Sequence, residues 1–190
     1  ARTCEPPGEI LTLDDYRTRY AQYRRDPDLQ EAHRQHAFVT VWDDHESADN
    51  AWQGGAENHQ PGSEGAWATR RQAAWRAYSE WMPTRTPDPE RIYRTLQFGD
   101  LVQLTMLDTR TIGRSQQASG IFDPAVRDDA RTMLGLEQEA WFDEQMRAVQ
   151  PVFHEWLAGR TFALGDLVLV MPKFQIFAAE VQVEGLAQRL

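Results

Sequence analysis

Apolar residues spaced three or four positions apart predict two helices near the start of the chain. The first begins after Thr12, which has Asp15 three positions later, as at a capped helix N-terminus. The second begins at Asp26-Pro27, because an Asp cap with proline in the first turn is a common helix start, and it extends to about residue 36. The apolar face of the first helix consists of Leu13, Tyr16, Tyr20 and Tyr23.

Two further helices are predicted in the middle and later parts of the chain. One ends at Pro83, and its shared face contains Trp67, Ala74, Ala77, Tyr78 and Trp81. The other covers about residues 134–149, with Leu136, Trp141 and Met146 broadly on one side. Residues 53–65, rich in Gly, Asn, Gln, Pro and Ser, are predicted to form a long loop, and residues 111–132 look irregular.

Short β-rich runs predict strands. The run "AFVTVW" at 37–42 is rich in β-branched and aromatic residues, which predicts a buried strand ending at Trp42 or Asp43. A hairpin is predicted around Gly99-Asp100, and its second strand delivers Asp108 and Arg110 to its carboxyl end. The in-phase apolar residues of the hairpin are Ile92, Leu96 and Phe98, then Val102, Leu104 and Met106. Helices and strands together predict an α/β (α+β) fold.

Composition narrows the function classes. The chain has 190 residues, enough for one domain, and its formal net charge of −9 argues against a protein that binds nucleic-acid phosphates through Lys and Arg. Cys4 is the only cysteine, which excludes an internal disulfide and a cysteine-based zinc cluster, and an inert thiol is expected. The apolar run at 167–172 is too short to span a membrane, and residues 1–9 lack a signal pattern. A soluble chain is expected, and its abrupt polar start suggests that something upstream has been removed.

Four chemically active residues, Asp43, Asp44, His45 and Glu46, directly follow the predicted strand at 37–42. Adjacent carboxylates repel each other unless a cation neutralises them, and oxygen ligands with a neutral imidazole suit a hard metal ion. Because successive residues of an extended chain point in opposite directions, one Asp is expected to be the ligand and the other a supporting or capping group. A polar turn that caps a helix at 46–53 explains the same residues equally well.

The order of motifs gives a resemblance. The segments "ILTLDDYRTRY", "FVTVWDDHESADN", "AAWRAYSEWMPTR", "IYRTLQFGDLVQLTMLDTR" and "LGLEQEAWFDEQM" resemble the PhoD-like alkaline phosphatase family over about residues 1–146. The resemblance implies part of a β-sandwich of the calcineurin-like metallophosphoesterase type, flanked by helices. It makes residues 1–149 the central part of a PhoD-like metallophosphatase domain and leaves residues 150–190 unassigned. It also implies hydrolysis of phosphate mono- or diesters with iron and calcium, or another divalent metal, in a parent protein that is secreted or periplasmic.

The resemblance also assigns roles to individual residues. In "WDDHE", Asp44 becomes a metal ligand, Asp43 a ligand or an orienting neighbour, and His45 the residue that contacts phosphate and protonates the leaving group. Asn50 is a candidate polar support. Arg110 is a candidate phosphate contact, although an ion pair with Asp108 or a nearby acid is at least as good an interpretation. The expected partner is a small phosphoester, and no nucleic-acid surface or membrane span is expected.

Several departures from the family pattern limit the expected activity. An upstream metal loop and a later loop that supplies a histidine are not recognisable, so the 190-residue chain is expected to be weakly active or inactive by itself. The alternative is a catalytically inactive domain that keeps the fold for cation binding or interaction. Elsewhere, exposed positions are expected for His33 and His36, a solvated loop for residues 57–59, and core positions for the tryptophans.

Overall fold

The structure is a computed structural model, and it describes the backbone of residues 3–86, 88–99 and 102–158. Residues 159–190, for which the sequence predicts no elements, lie outside the described residues. No helix within the described ranges combines the length and apolarity that crossing a bilayer requires. In chain order the elements are α1 Leu13–Arg24, α2 Pro27–Gln35, α3 Pro61–Glu64, α4 Trp67–Trp81, β1 Arg94–Phe98, β2 Val102–Met106, a 3-10 helix Pro124–Arg127, and α5 Leu136–Ala158.

The first two helices begin where their caps predict. The Thr12 side chain accepts a hydrogen bond from the Asp15 N–H, and the Asp15 carboxylate accepts one from the Thr12 N–H, which forms a capping box. The Asp26 carboxylate accepts the N–H groups of Asp28 and Leu29 at the start of α2. Both predictions are confirmed. They could be made from the sequence because each cap residue bonds N–H groups only a few residues further along the chain.

Helix α4 forms the centre of the molecule. Tyr16 of α1 packs with Ala74 and Ala77 of α4 in one buried cluster. On a neighbouring face, Trp75 of α4 stacks on Trp42, with ring centroids 5.4 Å apart and planes 6° from parallel. Offset aromatic stacking of this kind contributes beyond the area it buries. The second cluster is completed by Tyr78 and Ile92. Of the tryptophans predicted to lie in the core, Trp42, Trp67 and Trp75 are buried, whereas Trp52, Trp81 and Trp141 are half-buried.

The hairpin is confirmed, and the predicted strand at 37–42 is wrong. Strands β1 and β2 pair antiparallel in a two-stranded sheet, with Arg94 opposite Met106 and Phe98 opposite Val102. Residues 37–43 are irregular; Phe38 and Val39 are exposed. A β-branched run becomes a strand only beside a partner backbone, and here the Thr40 carbonyl accepts a hydrogen bond from the Arg94 side chain. The fold is a mixture of helices and a small antiparallel sheet, consistent with the α/β class.

Helix α5 is present as predicted, but its buried face differs from the predicted one. Leu136 is 82% exposed, whereas Gln138 is fully buried. Gln138 is buried because it pairs with the main chain of Asp108. Its side chain accepts a hydrogen bond from the Asp108 N–H at 2.8 Å and donates one to the Asp108 carbonyl at 2.7 Å. Trp141 packs against Tyr93, with centroids 4.7 Å apart. Helix α5 is thereby attached to the residues that follow β2.

Candidate active site

The acidic residues after Trp42 lie in a tight turn. The Asp44 carbonyl accepts the N–H groups of Ser47 and Ala48, each at 2.9 Å, and the Ser47 hydroxyl at 3.0 Å. The Asp44 carboxylate reaches forward to accept the Asn50 N–H at 2.9 Å. The turn brings residues 44–50 together without the helix at 46–53 that the alternative interpretation required. This contact uses the main chain of Asn50, whereas its side-chain amide donates to Glu57, so the role of Asn50 as a polar support stays a prediction.

Arg110 lies against the two neighbouring carboxylates. Its Nε donates to Asp43 Oδ1 at 2.8 Å, and its Nη2 lies 3.8 Å from Asp44 Oδ1. Burial acts to raise the pKa of Asp44, but the Asn50 N–H and the Arg110 guanidinium outweigh it and hold that pKa below its ordinary value. Of the interpretations open for Arg110, the structure shows the ion pair with a nearby acid, Asp43. It contacts the Asp108 carboxylate through its main-chain N–H.

Asp44, His45 and Asp49 form a group that could hold a metal ion. One ligand atom from each lies within 4.8 Å of the others. His45 Nε2 is 3.6 Å from Asp49 Oδ1 and 3.9 Å from Asp44 Oδ2, and the His45 side chain is 71% exposed while that of Asp44 is buried. Two carboxylates and an imidazole suit a divalent or trivalent hard cation. The assignment of Asp43 and Asp44 as metal ligands and of His45 and Arg110 as catalytic residues stays a prediction.

Asp49 was not predicted from the sequence. It stands four residues beyond His45 in a stretch without regular secondary structure, so no periodic pattern marks it as facing the same way. Its position depends on the turn and on the loop that follows. The Asp49 N–H donates to Asn58 Oδ1 at 2.9 Å, and its carbonyl accepts the Glu57 N–H at 2.9 Å. These two contacts hold the main chain of Asp49 beside the turn that carries His45.

His59 is buried, so the expectation of a solvated loop at 57–59 is wrong for this residue. Its side chain is 1% exposed, and its Nδ1 lies 3.2 Å from Glu64 Oε2 and 3.4 Å from Arg70 Nη1. Its Nε2 is 3.1 Å from the Gly65 carbonyl, which can only accept a hydrogen bond. His59 is buried because the buried Arg70 of α4 needs polar partners, and this loop supplies them.

Behind Arg110 lies a fully buried carboxylate, that of Asp108. Its Oδ1 accepts the N–H groups of Arg110 at 2.7 Å and Thr111 at 2.9 Å. Its Oδ2 accepts the Trp42 indole N–H at 2.7 Å and the Thr111 hydroxyl at 3.1 Å. Burial raises the pKa of Asp108, and these hydrogen bonds oppose the rise. Asp108 thus joins the residues after β2 to the residue that precedes the acidic turn.

Comparison with known proteins shows which family the chain belongs to. A model of the family described as PhoD-like phosphatase matches residues 1–165, and the chain therefore belongs to that family. The resemblance found in the sequence motifs is confirmed.

Two relatives extend the comparison. Alkaline phosphatase D of Bacillus subtilis (strain 168) is 41% identical over 144 residues, which cover 70% of this chain and 24% of that protein. A solved structure, "Structure of PhoD", has 40% sequence identity and a TM-score of 0.64 over 72% of this chain and 27% of that one. The chain thus spans about a quarter of the length of these relatives.

Proposed function

We propose that the phosphatase domain to which residues 1–165 belong hydrolyses phosphate mono- or diesters with the help of bound metal. The observation that carries this proposal is the turn at 44–50. It gathers the ligand atoms of Asp44, His45 and Asp49 within 4.8 Å and lies against Arg110, in a chain that matches the PhoD-like phosphatase family. The carboxylates would hold the cation, and the positive charge of the cation and of Arg110 would attract a phosphoester anion.

The donor set fits a metal, and the residues of the turn divide the remaining tasks. Asp44 would be the principal ligand, because its carboxylate is buried and held by the Asn50 N–H, and Asp49 would add a second oxygen. A bound metal supplies polarisation of the phosphoryl oxygen and an activated water, so no Ser or Cys nucleophile is required. We assign to His45, whose ring is exposed, the contact with the phosphate and the protonation of the leaving oxygen, which leaves the carboxylates of Asp44 and Asp49 as the metal ligands. Arg110 keeps Asp43 neutralised and presents its guanidinium edge to the same space.

The finer features of the proposal come from the family resemblance. They are iron and calcium as the metals, a β-sandwich of the metallophosphoesterase type in the whole domain, and a secreted or periplasmic parent protein. The division into residues 1–149 and an unassigned 150–190 also stays a prediction. Within the described residues there is one group of candidate ligands, and a two-metal site needs more. We therefore expect the 190-residue chain to be weakly active or inactive outside a longer phosphatase.

The alternative is a catalytically inactive domain that binds a cation or a partner, and one assay separates the two. Hydrolysis of p-nitrophenyl phosphate and of bis-p-nitrophenyl phosphate is measured with added iron and calcium, in the 190-residue chain and in a full-length protein that contains it. The expected result is metal-dependent product release by the full-length protein.

Asp44→Asn and His45→Ala should each lower kcat by on the order of 10²-fold or more. Asp129→Asn, at an exposed residue of the irregular segment, is the control. Absence of hydrolysis by the full-length protein with every metal supports the inactive domain.

A further inference from the structure

Four residues form a closed circuit of contacts around the candidate site. Asp108 Oδ1 accepts the Arg110 N–H at 2.7 Å, and Arg110 Nε donates to Asp43 Oδ1 at 2.8 Å. Asp43 is bonded covalently to Trp42, whose indole N–H returns to Asp108 Oδ2 at 2.7 Å. Two segments that are more than 60 residues apart in sequence are therefore linked twice, once through the Asp43–Arg110 pair and once through Asp108.

We propose that Asp108 is a positioning residue of the phosphatase site, which sets the Arg110 guanidinium against Asp43 and Asp44 without contacting substrate. The proposal rests on the proposed function for its kinetic consequences. Asp108 is fully buried, so it has no access to a phosphoester. Its influence on the reaction must pass through Arg110, whose side chain lies at the acidic turn, and through Trp42, which precedes that turn.

The charge and orientation of Asp108 suit this role. Its carboxylate faces donors on both sides: the N–H groups of Arg110 and Thr111 at Oδ1, and the Trp42 indole at Oδ2. Its main chain is held separately by the Gln138 side chain of α5. A carboxylate fixed at its backbone and saturated with donors cannot rotate without leaving buried N–H groups unpaired, which is unfavourable.

The substitution Asp108→Asn preserves the shape and destroys the pattern of donors and acceptors. An asparagine has one acceptor oxygen, and its NH₂ group must face either the two main-chain N–H groups or the Trp42 indole N–H. In the first orientation Arg110 and Thr111 lose their acceptor. In the second the Trp42 indole loses its own, although the Thr111 hydroxyl can rotate to accept from the amide. In either orientation Asp108→Asn removes one of the hydrogen bonds that join residue 108 to Arg110 and to Trp42.

A double-mutant cycle in the full-length phosphatase tests whether Asp108 acts through Arg110. Asp108→Asn is expected to lower kcat/KM about tenfold or more, as loss of a residue that orients a site typically does. In an Arg110→Ala background the same substitution is expected to have less than about a twofold effect, because the group that it positions is already absent. An equal loss in both backgrounds, or no loss in the first, would overturn the proposal.

Trp42→Phe provides a second route if Asp108→Asn folds poorly. It removes the donor to Oδ2 and leaves the carboxylate in place, and it should also lose kcat/KM in a manner that depends on Arg110. Trp75→Phe is the matched control, because Trp75 stacks on the same indole and reaches Asp108 only through the Thr111 hydroxyl, to which it donates at 3.1 Å. Equal effects of the two Trp→Phe changes on kcat/KM would contradict the proposal.

Nuclear magnetic resonance separates failure of this inference from failure of the proposed function. The Arg110 Nε–H signal, identified by its absence in Arg110→Lys, should exchange slowly with water because it is held by Asp43. Asp108→Asn is expected to accelerate that exchange about tenfold or more, whether or not the protein hydrolyses phosphoesters. An unchanged exchange rate overturns the inference. Absent hydrolysis together with accelerated exchange overturns only the proposed function.

Discussion

At the scale of single residues, Arg110 explains how Asp43 and Asp44 can stand side by side. Two carboxylates in a half-buried turn repel each other, and a guanidinium that bonds one at 2.8 Å and approaches the other at 3.8 Å offsets that repulsion. The turn can therefore form before any metal binds. A metal added beside Asp44 would meet a carboxylate that the Asn50 N–H already holds in place, so little binding energy is spent on ordering that ligand.

Gly113 is required by a close approach of two backbone segments near this site. A Cβ at residue 113 would overlap the backbone of Leu134 and Gly135, and a Cβ at Gly135 would lie 2.8 Å from the Gly113 Cα. Because backbone cannot move aside as a flexible side chain can, Gly113→Ala should destabilise the fold by about 2 kcal/mol or more. Urea unfolding of the full-length protein or of this chain measures the loss.

The control for Gly113→Ala is Gly62→Ala. Gly62 lies in the short α3, and nothing comes within 4 Å of a Cβ built there. Its replacement is expected to raise the free energy of unfolding by no more than about 1 kcal/mol, because alanine reduces the conformational freedom of the unfolded chain. Matching unfolding midpoints for the two variants would show that residues 113 and 135 are not in the contact described.

At the scale of elements, the features that the sequence predicts correctly are those determined by residues close together in the chain. The caps Thr12 and Asp26 fix the starts of α1 and α2, and the turn at Gly99 joins two in-phase strands. The segment at 37–42 has the composition of a strand but no pairing partner in the described residues, and composition cannot supply one. The buried face of α5 could not be predicted either, because Gln138 is buried through its hydrogen bonds to the main chain of Asp108.

In the candidate site, too, the residues that could be predicted are those identified by their neighbours in sequence. The consecutive acids and His45 are recognisable in the sequence because they are adjacent, and Arg110 because it follows the second strand of the predicted hairpin. The positions of Asp49 and His59 could not be predicted, since contacts with residues five to eleven positions further along the chain orient them. Asp49 is fixed by Asn58, and His59 is fixed by Glu64 and Arg70. Only the family resemblance, not periodicity, could point from the sequence to a phosphatase.

Helices α1 and α4 are cross-linked at their surface by Glu80, which makes a pH-dependent prediction. The Glu80 carboxylate accepts two hydrogen bonds from Arg17, at 2.7 and 2.8 Å, and one from Arg76 at 2.6 Å. Arg17 foremost, and then Arg76, lowers the pKa of Glu80 from 4.5 to about 2. A depressed pKa means that the stabilisation is complete above about pH 4.5 and is lost as the pH falls toward 2.

Glu80→Gln should therefore lower the melting temperature near neutral pH, and the difference from the wild type should shrink as the pH falls below 4.5. Because the pair lies at the surface, the difference should also shrink in high salt. Thermal unfolding followed by circular dichroism at several pH values measures this. Asp129→Asn, at an exposed position, controls for the change of net charge. A difference that persists unchanged at pH 2 would refute the role assigned to Glu80.

At the scale of the whole molecule, segments distant in sequence meet at one buried cation, Arg70. Its guanidinium donates to Glu9 in the N-terminal segment, to the Tyr16 hydroxyl of α1 at 3.2 Å, and to Glu64 at 3.3 Å. The Tyr16 hydroxyl in turn donates to the Ser47 carbonyl. A chain of hydrogen bonds thus runs from α4 through α1 to the turn that carries Asp44, and it backs the candidate site from the interior.

Arg70→Met should accordingly weaken the whole fold rather than one helix. Methionine keeps the length and apolar stem of the side chain, but it leaves the nearly buried Glu64 carboxylate without its guanidinium partner and Tyr16 without a donor. Removing one member of a buried charged network costs about 3–5 kcal/mol, because the remaining charge stays desolvated. Arg76→Met on the same helix is the matched control, since its side chain is 65% exposed and a surface pair contributes less than about 1 kcal/mol. Urea unfolding that gave both variants the same loss of free energy would contradict the central place of Arg70.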